Sequence, residues 1–171
     1  MAQVLSQDNL ILQRRKWKDN GQCVVFVAGR FDLLHPGHIR LLEQARSHGD
    51  ILIVAVQSDA GVRSLGGLES GVVSSSPRCS RPVTPAVERA EILAALAAVD
   101  YVVEFDEPSA NGLIVRLAPD IVVKGATPRL ALADMAEDRL AESVGAKIVR
   151  ILIEPGHSTT RLIERITQAG A

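Results

Sequence analysis

Val24-Val25-Phe26-Val27-Ala28-Gly29-Arg30-Phe31-Asp32-Leu33-Leu34-His35-Pro36-Gly37-His38 is the stretch that decides the fold. Five apolar residues in a row read as a buried strand. A glycine-containing turn follows, and residues 39–46 continue in helical spacing. The two histidines therefore stand where a helix begins. A helix N-terminus presents unpaired backbone N–H groups and a partial positive charge. Imidazoles added there make a site suited to polyphosphate. Pro36 suits the first helical turn, and Gly37 lets a ligand approach the backbone. His35 and His38, three apart, share one helix face and can address one ligand.

Outward from this stretch, apolar runs alternate with helical patterns. Strands are predicted at residues 23–28, 51–56, 101–105, 121–123 and 147–153. Helices are predicted at 6–19, 36–47, 85–97, 109–117, 130–144 and 158–168. Residues 1–21 read as an N-terminal helical segment closed by Asn20-Gly21. Residues 61–81 read as a long loop, with Gly66-Gly67, Gly71, Ser74-Ser75-Ser76-Pro77 and Pro82 at its end. The order βαβα predicts an α/β domain: a five-stranded parallel sheet, right-handed crossovers and helices on both faces. Ligands of such sheets sit beyond the carboxyl ends of the strands.

A length of 171 residues favours one domain. The chain is 47% hydrophobic but 3% aromatic, so Val, Ile, Leu and Ala must build the core, as suits a covered parallel sheet. A net charge of −1 argues against nucleic acid or a membrane surface as partner. No apolar run is long enough to span a bilayer, and the first residues lack the order of a signal peptide. Cys23 and Cys79 form no CxxC pair and read as free thiols. A cytoplasmic location follows by default.

The candidate chemistry can be weighed residue by residue. His35 and His38 can donate to phosphate oxygens as charge builds; histidines at a helix start can also be surface or capping groups. Zinc is a further alternative, needing ligands from Cys23, Cys79, His48 or His157 at unhelpful spacings. Phe31 suits the core better than ligand contact. Asp32 can hold the turn through backbone N–H groups, or meet Mg²⁺ indirectly. Lys124 ends a buried strand, where an ammonium can meet phosphate or be solvated. Ser158-Thr159-Thr160 opens the last helix as a cap, as a phosphate-binding N-terminus, or as both. Asp59 reads as a turn cap, and Arg89 by itself as a surface helix arginine.

Gly29-x-Phe31-Asp32-x-x-His35-x-Gly37-His38 after the first long strand resembles the nucleotidyltransferases of the cytidylyltransferase type. Three further strings resemble the ADP-heptose synthase adenylyltransferase domain within that group: Arg81-Pro82-Val83-Thr84-Pro85-Ala86-Val87-Glu88-Arg89, Pro119-Asp120-Ile121-Val122-Val123-Lys124-Gly125 and Ser158-Thr159-Thr160. The resemblance runs from Val24 to Ile166. It implies a Rossmann-like domain that transfers a nucleotidyl group from ATP to a sugar phosphate, with Mg²⁺ carried on the nucleotide. It implies catalytic roles for His35, His38 and Lys124. It implies nucleotide contacts from Gly29, Phe31, Asp32, Gly37, Arg89, Gly125, Ser158, Thr159 and Thr160, and no dedicated metal ligands. Arg89 would grip a phosphate with its fork.

Two places depart from the family pattern. Relatives carry several lysines after the Ser58-Asp59 position, whereas Val62-Arg63-Ser64-Leu65-Gly66-Gly67 keeps one positive charge. Relatives have an acidic residue after Lys124-Gly125, whereas Ala126-Thr127-Pro128-Arg129 has none. These departures leave a nucleotide-binding protein without turnover as a rival. The stretch before Ser158 lacks the arginine of the glycerol-phosphate relatives, which leans toward heptose 1-phosphate over a CTP-dependent reaction on glycerol 3-phosphate or another phospho-alcohol. A separate sugar kinase would supply the acceptor, and a homodimer is left open.

Overall fold

A computed structural model describes residues 2–64, 81–126, 135–153 and 158–169. The strands are β1 (Gln3–Leu5), β2 (Val24–Gly29), β3 (Ile51–Gln57), β4 (Tyr101–Phe105), β5 (Ile121–Ala126) and β6 (Lys147–Leu152). The helices are α1 (Gln7–Asp19), α2 (Pro36–Arg46), α3 (Asp59–Ser64), α4 (Ala86–Ala94), α5 (Asn111–Leu117), α6 (Met135–Ser143) and α7 (Thr159–Ala169).

The sheet is wholly parallel, in the order β1-β4-β3-β2-β5-β6. It has six strands, one more than the pattern predicted. The extra strand, β1, has three residues and two of them are exposed, so it carries no periodic signal. Its register with β4 creates it: Gln3 pairs with Tyr101 and Leu5 with Val103.

Alternation along the strands divides the core. Phe26, Ile53, Val103 and Val122 pack with Leu10, Leu113 and Ala141 from α1, α5 and α6. Val27, Val54, Val102 and Val123 pack with Leu41, Leu42, Ala90 and Leu93 from α2 and α4. Every residue of β3 is buried, so this central strand is apolar from Ile51 to Val56 rather than alternating, and ends on the buried Gln57. Fully burying one such Val, Leu or Ile contributes about 1.5–3 kcal/mol.

Among the described residues, three boundaries move by three residues or more. β5 runs through Lys124 and Gly125 to Ala126, where the pattern stopped it at residue 123. Pairing with β6 extends it, Lys124 opposite Arg150 and Gly125 opposite Ile151. Residues 61–64 are helical rather than loop, and the Ser58 hydroxyl accepts from the Gly61 amide at 3.1 Å within that turn. α4 ends at Ala94, short of the predicted residue 97. The rest of the expected loop, residues 65–80, lies outside the described residues, as do 127–134 and 154–157.

The chain leaves β2 toward β3 on one side, while β5 pairs with β2 on the other. The order reverses between β2 and β5, and a crevice opens beyond the carboxyl ends of strands at such a switch. Both the histidine turn after β2 and the Lys124-Gly125 pair of β5 lie at that end.

Candidate active site

Pro36 holds the first position of α2, and His35 precedes it in an extended conformation with φ −138° and ψ 165°. One turn on, the His38 ring stacks on that of His35, with centroids 3.8 Å apart and planes 17° apart. Phe31 tilts against His38 at 5.4 Å, which makes the aromatic residue a wall of the histidine pair as well as a core residue. Burial, the neighbouring His35 and only partial compensation from Asp32 push His38 down from 6.5 to about 4. The ring is therefore neutral at pH 7 and donates through one N–H. Its buried Nδ1 has no hydrogen-bond partner among the described residues.

The turn that carries the pair is held under strain. Phe31 and Leu33 take φ values of 50° and 51°, in the left-handed region that non-glycine residues rarely occupy. Asp32 between them is 4% exposed. Its carboxylate accepts from the amides of Val83 and Thr84 at 3.0 Å each, while Arg81 stands 3.5 Å away. Its backbone carbonyl accepts from the Thr159 hydroxyl at 2.7 Å. Asp32 thus joins three segments: the histidine turn, the chain before α4 and the start of α7. The Ser158 hydroxyl accepts from the Arg161 amide at 3.2 Å, the cap expected for that helix. Thr160 is half-buried beside it.

Arg89 occupies the same end of the molecule but points inward. It is 1% exposed. Its guanidinium donates to the carbonyls of Thr84 at 2.8 Å, Gln57 at 2.8 Å and Arg30, and to the Asp59 carboxylate at 2.7 Å. The fork ties the histidine turn, the end of β3 and the start of α4 together. Asp59 also accepts from the Ala86 amide at 2.9 Å, so it caps the start of α4 rather than its own turn, where the Ser58 hydroxyl takes the Gly61 amide.

Lys124 reaches the carboxyl end of β5 on the other face of the sheet. It alternates with Val123, which packs with α2 and α4, and its ammonium meets α6: Glu137 at 2.8 Å and Asp138 at 3.0 Å. Gly125 turns back toward α2. A Cβ there would lie 2.6 Å from Ile153 and 3.6 Å from Leu41. Gly29 ends β2, and a Cβ on it would press the Phe31 ring at 3.0 Å. Gly37 is buried in the first turn of α2.

Two cavities flank the turn. One of about 420 Å³ is bordered by Leu34, His35, Pro36, Ile39, Arg40 and Glu43. The other, about 310 Å³, lies between Phe31, Leu33, Ile92 and the Leu162 and Ile166 side chains of α7. A larger opening of about 790 Å³ lies at the amino end of the strands, near Trp17, Asp50 and Asp100, away from the histidines. The zinc alternative is divided the same way. The Cys23 thiol stands 3.8 Å from the His48 carbonyl at the amino end, whereas His35 and His38 follow the carboxyl end of β2. Cys79 and His157 lie outside the described residues.

The structure therefore gathers Gly29, Phe31, Asp32, His35, Gly37, His38 and Thr159 around one turn, and sets Lys124 across the sheet. Sequence reasoning missed the bond from Thr159 to the Asp32 carbonyl and the two carboxylates on Lys124. Glu137 and Asp138 fall in the predicted helix at 130–144, but nothing in the order of residues aims them at Lys124.

A family model described as Cytidylyltransferase-like matches residues 26–165. The Bifunctional protein HldE of Koribacter versatilis (strain Ellin345) is 42% identical over 164 residues, covering 96% of this chain and 31% of that protein. The Bifunctional protein HldE of Syntrophotalea carbinolica is 43% identical over 162 residues, covering 94% and 29%. The chain thus spans under a third of the length of these curated relatives. Among solved structures, a lipopolysaccharide core biosynthesis protein from Thermoplasma volcanium GSS1 superposes with a TM-score of 0.60 at 23% identity, covering 78% of this chain and 98% of that one. A pantoate-beta-alanine ligase from Francisella tularensis superposes at 0.64 and 15% identity, covering 96% and 73%. Both show the fold. Among the described residues no helix is long and apolar enough to cross a membrane.

Proposed function

The chain belongs to the cytidylyltransferase-like family, and from that premise we propose that it joins the adenylyl group of ATP to a sugar phosphate, heptose 1-phosphate first among acceptors. An oxygen of the acceptor phosphate attacks the α-phosphorus of ATP. The bond from the α-phosphorus to the bridging oxygen breaks, and pyrophosphate leaves with that oxygen. No covalent enzyme intermediate is needed, so the protein's work is positioning and charge stabilisation.

The observation that carries this reading is the stacked His35–His38 pair at the start of α2, in a turn that Asp32 and Arg89 over-determine. A neutral His38 held against His35 is a donor whose orientation costs no reorganisation when charge develops on the phosphoryl oxygens. Neighbouring phosphate would also favour its protonated form. The first turn of α2 adds its dipole. Thr159 and Ser158 bring a second helix start to the same turn. The 40% or greater identity to proteins named Bifunctional protein HldE, over nearly the whole chain, supports the adenylyl and heptose assignment suggested by the three sequence strings.

The donors around the turn are imidazole nitrogens, hydroxyls and amides. The Asp32 carboxylate is already taken by backbone N–H groups, and no group of three or more His, Cys, Asp or Glu that could hold a metal forms among the described residues. This donor set fits Mg²⁺ that arrives on the triphosphate and keeps phosphate and water oxygens as ligands. Bound so, the ion would neutralise charge on the leaving pyrophosphate.

The test is a panel of nucleoside triphosphates against phosphorylated acceptors, read as pyrophosphate release. ATP with heptose 1-phosphate is expected to outperform CTP with glycerol 3-phosphate. Turnover with CTP alone would overturn the adenylyl assignment. ATP binding without turnover on any acceptor would leave a nucleotide-binding protein in its place.

A further inference from the structure

Lys124 does not sit at the nucleotide end of β5 as an uncommitted charge. Its ammonium lies 2.8 Å from Glu137 and 3.0 Å from Asp138, and its side chain is 12% exposed. The two carboxylates are not equivalent. Asp138 is also paired with Arg150, the residue opposite Lys124 in the β5–β6 register. Burial pushes the Asp138 carboxyl up, but Lys124 and Arg150 outweigh it and hold the group below the usual carboxylate range. Asp138 is thus fixed between two cations. Glu137 is more exposed, at 26% against 13%, and its carboxylate bonds to Lys124.

All of this lies on the sheet face of α6, whereas the histidines lie on the face of α2. To reach a phosphate above the histidine turn, the Lys124 ammonium has to swing over the end of β5. Lysine suits such a move, because its charge rides on a flexible four-carbon stem with three rotatable donors. The move breaks the pair with Glu137 and leaves Asp138 still neutralised by Arg150.

We propose that Glu137 is the resident counter-ion of Lys124 and competes with nucleotide phosphate for it, so that α6 sets the affinity for the nucleotide. This rests on the nucleotide-binding reading above. Glu137 acts through Lys124 and is an affinity-setting residue rather than a catalytic one. A competitor that must be displaced weakens binding by the strength of the pair it forms, and a partly exposed pair corresponds to about a three- to fivefold effect.

The experiment measures Mg·ATP binding by calorimetry, together with KM and kcat for pyrophosphate release, on the full chain. Glu137→Gln is expected to bind Mg·ATP about three- to fivefold more tightly, with KM falling by the same factor and kcat changing less. In a Lys124→Met background the same substitution should have no effect on binding. Glu137→Asp withdraws the carboxylate by one methylene while keeping its charge. It should tighten binding in the same direction, and it serves as the test if the glutamine variant does not fold. Unchanged or weaker binding in both folded Glu137 variants overturns the proposal, as does an effect that persists without Lys124. Absence of Mg·ATP binding in the unmodified protein overturns the nucleotide reading and this inference together, which separates the two failures.

Discussion

The two ends of the sheet are built from the same kinds of residue and do different things with them. At the amino end, carboxylates take the amides that lead into the strands. Asp50 accepts from Cys23 at 2.7 Å, Asp120 from Val24 at 2.8 Å and Asp100 from Leu52 at 2.8 Å. Arginines stand behind two of them: Arg14 meets Asp120 at 3.0 Å and Arg46 meets Asp100 at 3.2 Å. Arg14 also donates to the carbonyl of Ala118, the left-handed residue that closes α5. At the carboxyl end, Asp32 clamps loops, and Arg89 ties loops to the end of β3. Between those clamps stand two left-handed non-glycine residues and a stacked histidine pair, of which His38 has a lowered pKa. The left-handed Ala118 is an ordinary helix-end device, whereas Phe31 and Leu33 interrupt a strand-to-helix turn. The lesson is that an ion-backed clamp alone does not mark a site. An unsatisfied polar atom does not mark it either, since Arg14 Nη1 at the amino end has no partner among the described residues. What marks it is backbone strain in a strand-to-helix turn around a stacked histidine pair, held in place by clamps.

Breaking a clamp at the carboxyl end should cost the most. Arg89→Met removes the donor of three carbonyls and leaves Asp59 without its buried partner. A loss of about 3–5 kcal/mol in unfolding free energy is expected. Urea melts check it, and a loss below about 1 kcal/mol would mean that solvent replaces the fork, against its buried position. The next effect falls on chemistry. His38→Ala should lower kcat by about 10²-fold or more while Mg·ATP binding changes far less, because in the proposed reaction its N–H would donate to charge that develops in the transition state. Equal losses in both would make His38 a binding group only.

The amino end sharpens the contrast. Arg14→Met should lower stability by about 1–3 kcal/mol, less than Arg89→Met because the Asp120 side chain is 42% exposed. Its kcat/KM per folded molecule should stay within about twofold, since no residue of the histidine turn touches it. A fall in kcat/KM without loss of stability would show that the two ends are coupled.

The last effect, absent at neutral pH, is a pH slope. His38 has a folded pKa of about 4 against 6.5 unfolded, so between these values the unfolded chain binds more protons. Stability is then fully present above pH 6.5 and is lost as pH falls toward 4, at no more than about 1.4 kcal/mol per pH unit from this group. Denaturant melts of the unmodified protein and of His38→Ala should diverge in that window and run parallel above it. Parallel curves throughout would remove the basis for a neutral His38.

Much of this was legible in the order of residues, and the reasons are local. The run from Val24 to Ala28 is too short for a buried helix and reads as a strand, and Pro36 suits the first turn of the helix that follows. Hence β2, α2 and the histidine turn follow from short-range rules. α1 begins at Gln7, one residue after the expected start, because Ser6 stands outside it as the cap, with the hydroxyl accepting from the Asn9 amide at 3.3 Å. The full length of β5 was not legible, because Lys124-Gly125 reads as a strand end and only the facing residues of β6 extend it. β1 exists because β4 offers a free edge, not because Gln3-Val4-Leu5 prefers to be extended.

The sequence by itself therefore determined the alternation of strands and helices, the end of the sheet where chemistry belongs and the histidines that stand there. Each is written in residues within one turn or one strand of each other. Only the tertiary structure decided what the charged residues do. Asp32 finds Val83 and Thr84, Arg89 turns inward to Arg30 and Gln57, Thr159 reaches back to Asp32, and Lys124 is handed to Glu137 rather than left open. A flexible charged side chain chooses among partners by what folding brings within about 3 Å, and that distance is set by crossovers and register, which no local stretch encodes.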